Sequence, residues 1–237
     1  LKTAQIRTSN NGRPFLAAVL ADKTGSIEGK AWDYSGPIST ADEGQVIKIR
    51  GSVTEFRGAL QLNMDRLRRT EPSDPVDRGA LVATAPIDGE KAWTEVERLV
   101  DSISDADYRA VCRRMLQEKG EALRTIPAAK SVHHSFLGGL LMHTWTMLRT
   151  ADFLAGLYPE TVDRSLLLAG TLLHDLSKAE EFSFSPLGLV TEYSLKGQLL
   201  GHLVMGAQEA ARAAEELGIP EEKSVLLQHM ILSHHGQ

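Results

Sequence analysis

The chain has 237 residues, 42% hydrophobic and 24% charged, with a net charge of −5 at pH 7; this suffices for one large domain or two modest ones and excludes a disordered chain. The single cysteine, Cys112, excludes an internal disulfide, and no run approaches the roughly 18 apolar residues of a membrane span, so the reading is a cytoplasmic protein with no membrane partner. Charge is uneven: residues 1–71 carry 11 Lys/Arg against 8 Asp/Glu and the remainder 15 against 23, an excess that suits a solvated surface as well as a phosphate-binding face.

From Phe15 to Arg69 short apolar alternations recur between turn residues: Phe15 to Leu20, Ser26 to Trp32, Val46 to Val53 and Leu60 to Met64, with Asp22-Lys23-Thr24-Gly25 and Arg57-Gly58 between them. The spacing predicts about five strands, and five strands in about 70 residues predict a small closed barrel of the OB-fold type. Its face would carry Trp32, Tyr34, Phe56, Arg7, Arg57 and Arg66, aromatics to stack on bases among cations that follow a backbone. The alternative is that the aromatics are core or rim and the arginines merely solubilise.

Residues 71–90, with Pro72, Pro75, Gly79, Pro86 and Gly89, read as a linker. Beyond it the period becomes helical. Lys91 to Ser104 and Asp105 to Lys119 predict an amphipathic pair, and His133 to Leu157 a long apolar run stopped by Pro159. Asp163 caps the next helix, which ends near His174-Asp175. Phe182 to Tyr193 predicts a small hairpin or flap, and Ser194 to Leu217 and Pro220 to His234 two closing helices. The fold class is multi-domain β + α: residues 1–70 a five-stranded barrel, 71–90 a linker and 91–237 an all-α domain.

All eight histidines lie between His133 and His235. His143, His174 and Asp175, from two helices, predict three ligands on one ion with positions left open, the mark of a catalytic site. His202 with His234 or His235 would complete a second ion, Asp175 bridging. Nitrogen and carboxylate donors suit manganese, iron, cobalt, nickel or zinc better than calcium. Adjacent helical residues point about 100° apart, so His234 and His235 are not expected to bind one ion alike.

The helical part resembles the HD superfamily of metal-dependent phosphohydrolases through His143, His174-Asp175-Leu176-Ser177-Lys178, Gly201-His202 and Leu232-Ser233-His234-His235-Gly236. With Asp22-Lys23-Thr24-Gly25, Leu60-Gln61-Leu62 and His133-His134-Ser135-Phe136, nearly the whole chain resembles the YhaM-type 3′→5′ exoribonucleases, an OB-fold joined to an HD domain. The resemblance implies one or two ions, manganese first; single-stranded RNA as partner, with single-stranded DNA open; and nucleoside 5′-monophosphates as products. It implies that Lys178 faces a substrate phosphate, that Lys130, His133 and His134 line the substrate's approach, and that Ser177, where the family has Gly, alters only packing.

The HD pattern also needs a further Asp, expected beyond Gln237, and Leu1 in place of Met suggests numbering that begins inside a longer product. The competing readings are an HD phosphohydrolase acting on a small nucleotide or cyclic dinucleotide, and a non-catalytic nucleic-acid-binding protein. A homo-oligomer stays open.

Overall fold

The computed structural model describes residues 1–129, 136–185 and 187–236, with only the backbone at Arg78. It divides into two compact units, the first spanning Leu1–Ala83 and the second beginning at Thr84.

The first unit is a single sheet of β1 (Thr3–Thr8), β2 (Pro14–Asp22), β3 (Gly25–Trp32), β4 (Ile47–Phe56) and β5 (Ala59–Arg69), in the order β1-β2-β3-β5-β4. All pairs are antiparallel except β3 with β5. Local chemistry sets the β2–β3 and β4–β5 hairpins. Asp22 Oδ1 accepts from the Thr24 amide at 2.7 Å and hydroxyl at 2.6 Å, and Arg57 (φ 53) with Gly58 (φ 79) supplies the positive dihedrals that a two-residue hairpin turn requires. Alternation turns Leu16, Ala18, Ala31 and Met64 inward, onto Ile38 and Ala4.

The closed barrel expected from the sequence is corrected to an open one: β1 and β4 are the sheet's two edges and do not pair. The segment before β4 takes up the edge of β1 instead. Ala4 N donates to Glu43 Oε1 at 2.8 Å, and Thr40 Oγ1 to Ala4 O at 3.2 Å. The tract after β5 is pinned by Asp74, which accepts from Arg68 and Lys48 at 2.7 Å, and a short helix α1 (Arg78–Leu81) follows.

The second unit is helical: α2 (Gly89–Asp101), α3 (Ala106–Thr125), α4 (Gly139–Leu157), α5 (Arg164–Leu173), α6 (Lys178–Glu181), α7 (Leu195–Leu199), α8 (Gly201–Glu216) and α9 (Glu221–Ser233), with a hairpin of β6 (Phe182–Phe184) and β7 (Val190–Tyr193). Asp88, Asp105 and Asp163 cap α2, α3 and α5 through their carboxylates, each cap stabilising by about 1 kcal/mol. α5 is the central helix and packs on α2, α3, α4 and α9. Its Leu168, Leu172 and Leu173 are fully enclosed, each contributing about 1.5–3 kcal/mol. Where α5 meets α9 a methyl group on Gly170 would lie 2.9 Å from Met230 Cβ. Among the described residues no helix is long and apolar enough to cross a membrane.

The run Ser194 to Leu217, expected as one helix, is two. Gly201, at φ 72, breaks it and restarts the chain as α8 with His202 in the first turn.

Candidate metal centre and nucleic-acid face

Four elements bring the helical unit's histidines together. His143 stands in the first turns of α4, His174 closes α5 with Asp175 next to it, His202 opens α8 and His234 closes α9. Asp175, 3% exposed, places Oδ2 3.3 Å from both His143 Nε2 and His174 Nε2. Its Oδ1 lies 3.4 Å from His202 Nε2 and 3.8 Å from His234 Nε2. The Nε2 atoms of His143 and His174 are 3.1 Å apart.

The ring orientations are fixed from behind. His174 Nδ1 lies 2.7 Å from Thr171 O and His234 Nδ1 2.7 Å from Ile231 O. A carbonyl oxygen only accepts, so Nδ1 carries the proton and the Nε2 lone pair turns to the cluster. His202 reaches the same state through Glu181, whose Oε1 accepts from His202 Nδ1 at 2.9 Å.

Two sets of ligand atoms result, His143/His174/Asp175 and His202/His234/His235, the atoms of each lying within 4.8 Å of one another. Asp175 Oδ1, His202 Nε2 and His234 Nε2 are buried without a hydrogen-bond partner, a cost of about 1–3 kcal/mol per group that a bound cation would remove. Nitrogen and carboxylate donors with buried, unsatisfied lone pairs fit a divalent transition ion.

The electrostatics agree with that donor set. Burial pushes the Asp175 carboxyl up, but the close contacts of the His143 and His174 imidazoles and the charge of Lys178 outweigh it and hold the group ionised well below the usual range. Burial pushes His234 down to about 4, keeping it neutral and able to donate a lone pair.

His234 and His235 depart from the expected divergence. α9 ends at Ser233, so the pair lies past the helix and both rings approach His202, with centroids at 5.6 and 5.1 Å. His229 is solvent-exposed. Lys178 Nζ lies 2.8 Å from Asp175 Oδ2. A cleft of about 560 Å³ is lined by His143, His174, Asp175, Lys178, His234 and His235 together with small and apolar residues. Lys130, His133 and His134 lie outside the described residues.

Sequence reasoning missed Glu181, which follows another glutamate and carries no motif of its own. It also undervalued Ser177, whose hydroxyl donates to Glu209 Oε2 at 2.5 Å. Glu209 Oε1 in turn pairs at 2.6 Å with Lys119, which also holds Glu180 at 2.8 Å. The serine therefore ties the His174-to-Glu181 turn to α8 and does more than alter packing.

On the β unit Trp32 is 55% and Phe56 54% exposed. Lys30 Nζ sits 5.7 Å from the Trp32 ring centre and 5.6 Å from that of Phe56, and the Arg57 guanidinium 5.2 Å from Phe56. Phe15 flanks Trp32 at 5.0 Å. A groove of about 610 Å³ beside Trp32 is bordered by Lys48, Arg50, Arg66 and Arg68; Arg50 and Arg66 stand directly opposite in register, where like charges repel without an anion. Tyr34 is a correction. It belongs to the core, its hydroxyl donating to Ile38 O at 3.1 Å and accepting from Ile38 N at 2.7 Å. The cause is Asp33 at φ 47, which ends the strand's alternation after Trp32.

Residues 3–69 match the family model of an OB-fold nucleic acid binding domain, and residues 140–237 that of the HD domain. Full-length similarity extends to proteins named 3′-5′ exoribonuclease YhaM. That of Listeria innocua is 37% identical over all of this chain and 75% of its own length. That of Shouchella clausii is 39% identical over all of this chain and 73% of its own, and that of a Geobacillus species 36% over 72% of its own. With both units matched and the identity running from end to end, the chain belongs to the YhaM family of 3′-5′ exoribonucleases.

Proposed function

We propose that this chain is a metal-dependent 3′→5′ exoribonuclease that hydrolyses single-stranded RNA to nucleoside 5′-monophosphates, with manganese as its preferred ion. The observation that carries the reading is one buried carboxylate shared between two histidine groups: Asp175 turns Oδ2 to His143 and His174 and Oδ1 to His202 and His234. His143, His174 and Asp175 would hold one ion, and His202, His234 and His235 a second, with Asp175 common to both. Two such ions supply Lewis acidity at the attacking and leaving oxygens of a phosphodiester and a water nucleophile at neutral pH.

The chain's own groups do the rest. The Nδ1 contacts of His174, His202 and His234 keep three lone pairs aimed inward, so little reorganisation is needed when substrate arrives. Lys178, next to Asp175 at the wall of the cleft, is the cation for a non-bridging phosphoryl oxygen. On the β unit Trp32 and Phe56 stack bases, while Lys30 and Arg57 follow the phosphates. The paired arginines Arg50 and Arg66 lend the groove beside Trp32 a preference for anions.

The test is a single-stranded RNA labelled at its 5′ end, incubated with the chain and Mn²⁺. The expected result is a ladder shortening from the 3′ end, with unlabelled nucleoside 5′-monophosphates released. Immediate release of labelled mononucleotide, products bearing 3′-phosphates, or intact RNA beside a hydrolysed cyclic dinucleotide would overturn the reading. A DNA strand of the same sequence, run in parallel, measures the preference for the 2′-hydroxyl.

A further inference from the structure

The two ligand sets differ in charge. His143 and His174 share their set with the Asp175 carboxylate, whereas His202, His234 and His235 are three imidazoles, of which His202 and His234 face only its far oxygen. A divalent cation held by three imidazoles and only one oxygen of a shared carboxylate keeps most of its charge uncompensated. Behind His202, outside the residues that line the cleft, stands Glu181, 6% exposed.

Glu181 makes two contacts through one oxygen. Gly201 restarts the chain at φ 72, so the His202 amide falls among the first amides of α8, which have no carbonyl within the helix to bond. Glu181 Oε1 accepts that amide at 3.1 Å and the His202 Nδ1 proton at 2.9 Å. His174 and His234 obtain the same ring state from carbonyls three residues earlier, Thr171 and Ile231. For His202 the residue three back, Leu199, belongs to α7 across the Gly201 turn, and a side chain takes over the task.

We propose that Glu181 is a positioning residue for the second ligand set: it fixes His202 with Nδ1 protonated and Nε2 aimed into the site, and its buried carboxylate adds negative charge to a set that otherwise has only a share of Asp175. The inference rests on the metal-centre reading above. A carboxylate behind a ligating imidazole raises the donor strength of the ring, so the effect passes to the ion through His202.

The test compares the full chain with Glu181→Gln, which keeps an accepting oxygen but drops the charge, and Glu181→Ala, which removes both. Without metal, a long-range ¹H–¹⁵N correlation should find His202 in the Nδ1–H form in wild type and lose that form in Glu181→Ala. In calorimetric titration with Mn²⁺, Glu181→Gln should leave one ion unchanged and weaken the other by about 10–100-fold. Turnover should fall with the weakened ion while KM for RNA holds. An unchanged His202 form in Glu181→Ala, or two ions bound with wild-type affinity in Glu181→Gln, overturns the role of Glu181 and leaves the metal centre standing. A wild-type chain that takes up no more than one ion overturns the two-set reading itself. Should Glu181→Ala fail to fold, the isosteric Glu181→Gln decides the matter alone.

Discussion

On the β unit Trp32 and Phe56 stand more than half exposed with Lys30 between their rings, whereas in the helical unit Asp175 Oδ1, His202 Nε2 and His234 Nε2 are buried and have no hydrogen-bond partner. The first arrangement keeps its polar groups hydrated, and each contact can be lost without disturbing the others. The second is unfavourable by itself, since each buried group without a partner costs about 1–3 kcal/mol. A surface of this kind tolerates many sequences of ligand; a cluster of this kind demands one chemistry. Damage should therefore be graded on the sheet and abrupt in the cluster.

The sharpest break is at the shared carboxylate. His174→Ala or Asp175→Ala should abolish hydrolysis, beyond the roughly 10–100-fold that loss of an outer partner costs, while circular dichroism shows the fold retained. Turnover within tenfold of wild type in Mn²⁺-supplemented buffer would remove these residues from the centre. Lys178→Ala should lower the single-turnover rate by about 10²–10³-fold, the range for one donor to a transition-state oxygen, with metal stoichiometry unchanged. Lost metal, or an unaltered rate, would show that the ammonium serves Asp175 and not the substrate.

On the sheet the effects are smaller. Trp32→Ala or Phe56→Ala should weaken binding of a long RNA by about 1–3 kcal/mol per base released and leave cleavage of a short activated phosphodiester alone. Removing Lys30 and Arg57 should flatten the salt dependence by about 0.7 per lost phosphate contact. Equal losses on long and short substrates would erase the division of labour. Tyr34→Phe makes a control: it should lower the melting temperature through the two lost Ile38 bonds, each worth about 0.5–1.5 kcal/mol, without altering RNA affinity.

The smallest effect is one of pH, again confined to the sheet. The Arg69 guanidinium holds the Asp42 carboxyl, and that of Arg68 the Asp74 carboxyl, below the usual value of 3.8. Their stabilisation is complete above that value and is lost as the pH falls below it toward the lowered values. Asp74→Asn should flatten the acid limb of a melting-temperature profile below about pH 4; an unchanged slope would show that the pair contributes nothing.

The strands, the caps at Asp88, Asp105 and Asp163, and the gathering of His143, His174, Asp175, His202 and His234 could all be read from spacing, because period and cap chemistry are local properties. What could not be read depends on single dihedrals. Asp33 at φ 47 carries Tyr34 inward although parity puts it beside Trp32, and Gly201 at φ 72 splits an apparently continuous helix. The second of these hid Glu181, since a carboxylate becomes a partner of His202 only once the chain restarts beside it. The sheet's failure to close was hidden for a related reason: Thr40 and Glu43, polar residues at the two ends of a single 3-10 turn, occupy an edge that a strand was expected to fill.

The contact between Gly170 and Met230 sits one helical turn beneath the centre on both sides, Gly170 four residues before His174 and Met230 four before His234. The seam therefore works as a gauge. With no side chain on one face, the two helices approach until a methyl group on Gly170 would lie 2.9 Å from Met230 Cβ, and this spacing is transmitted a turn further along to the two imidazoles, whose ring centres are 4.9 Å apart. Widening it by one methyl group spreads the jaws without touching a ligand atom. Since a displacement of about 1 Å at a reacting site can cost about 10²-fold in rate, the tolerance of the centre is set by a residue with no functional group at all.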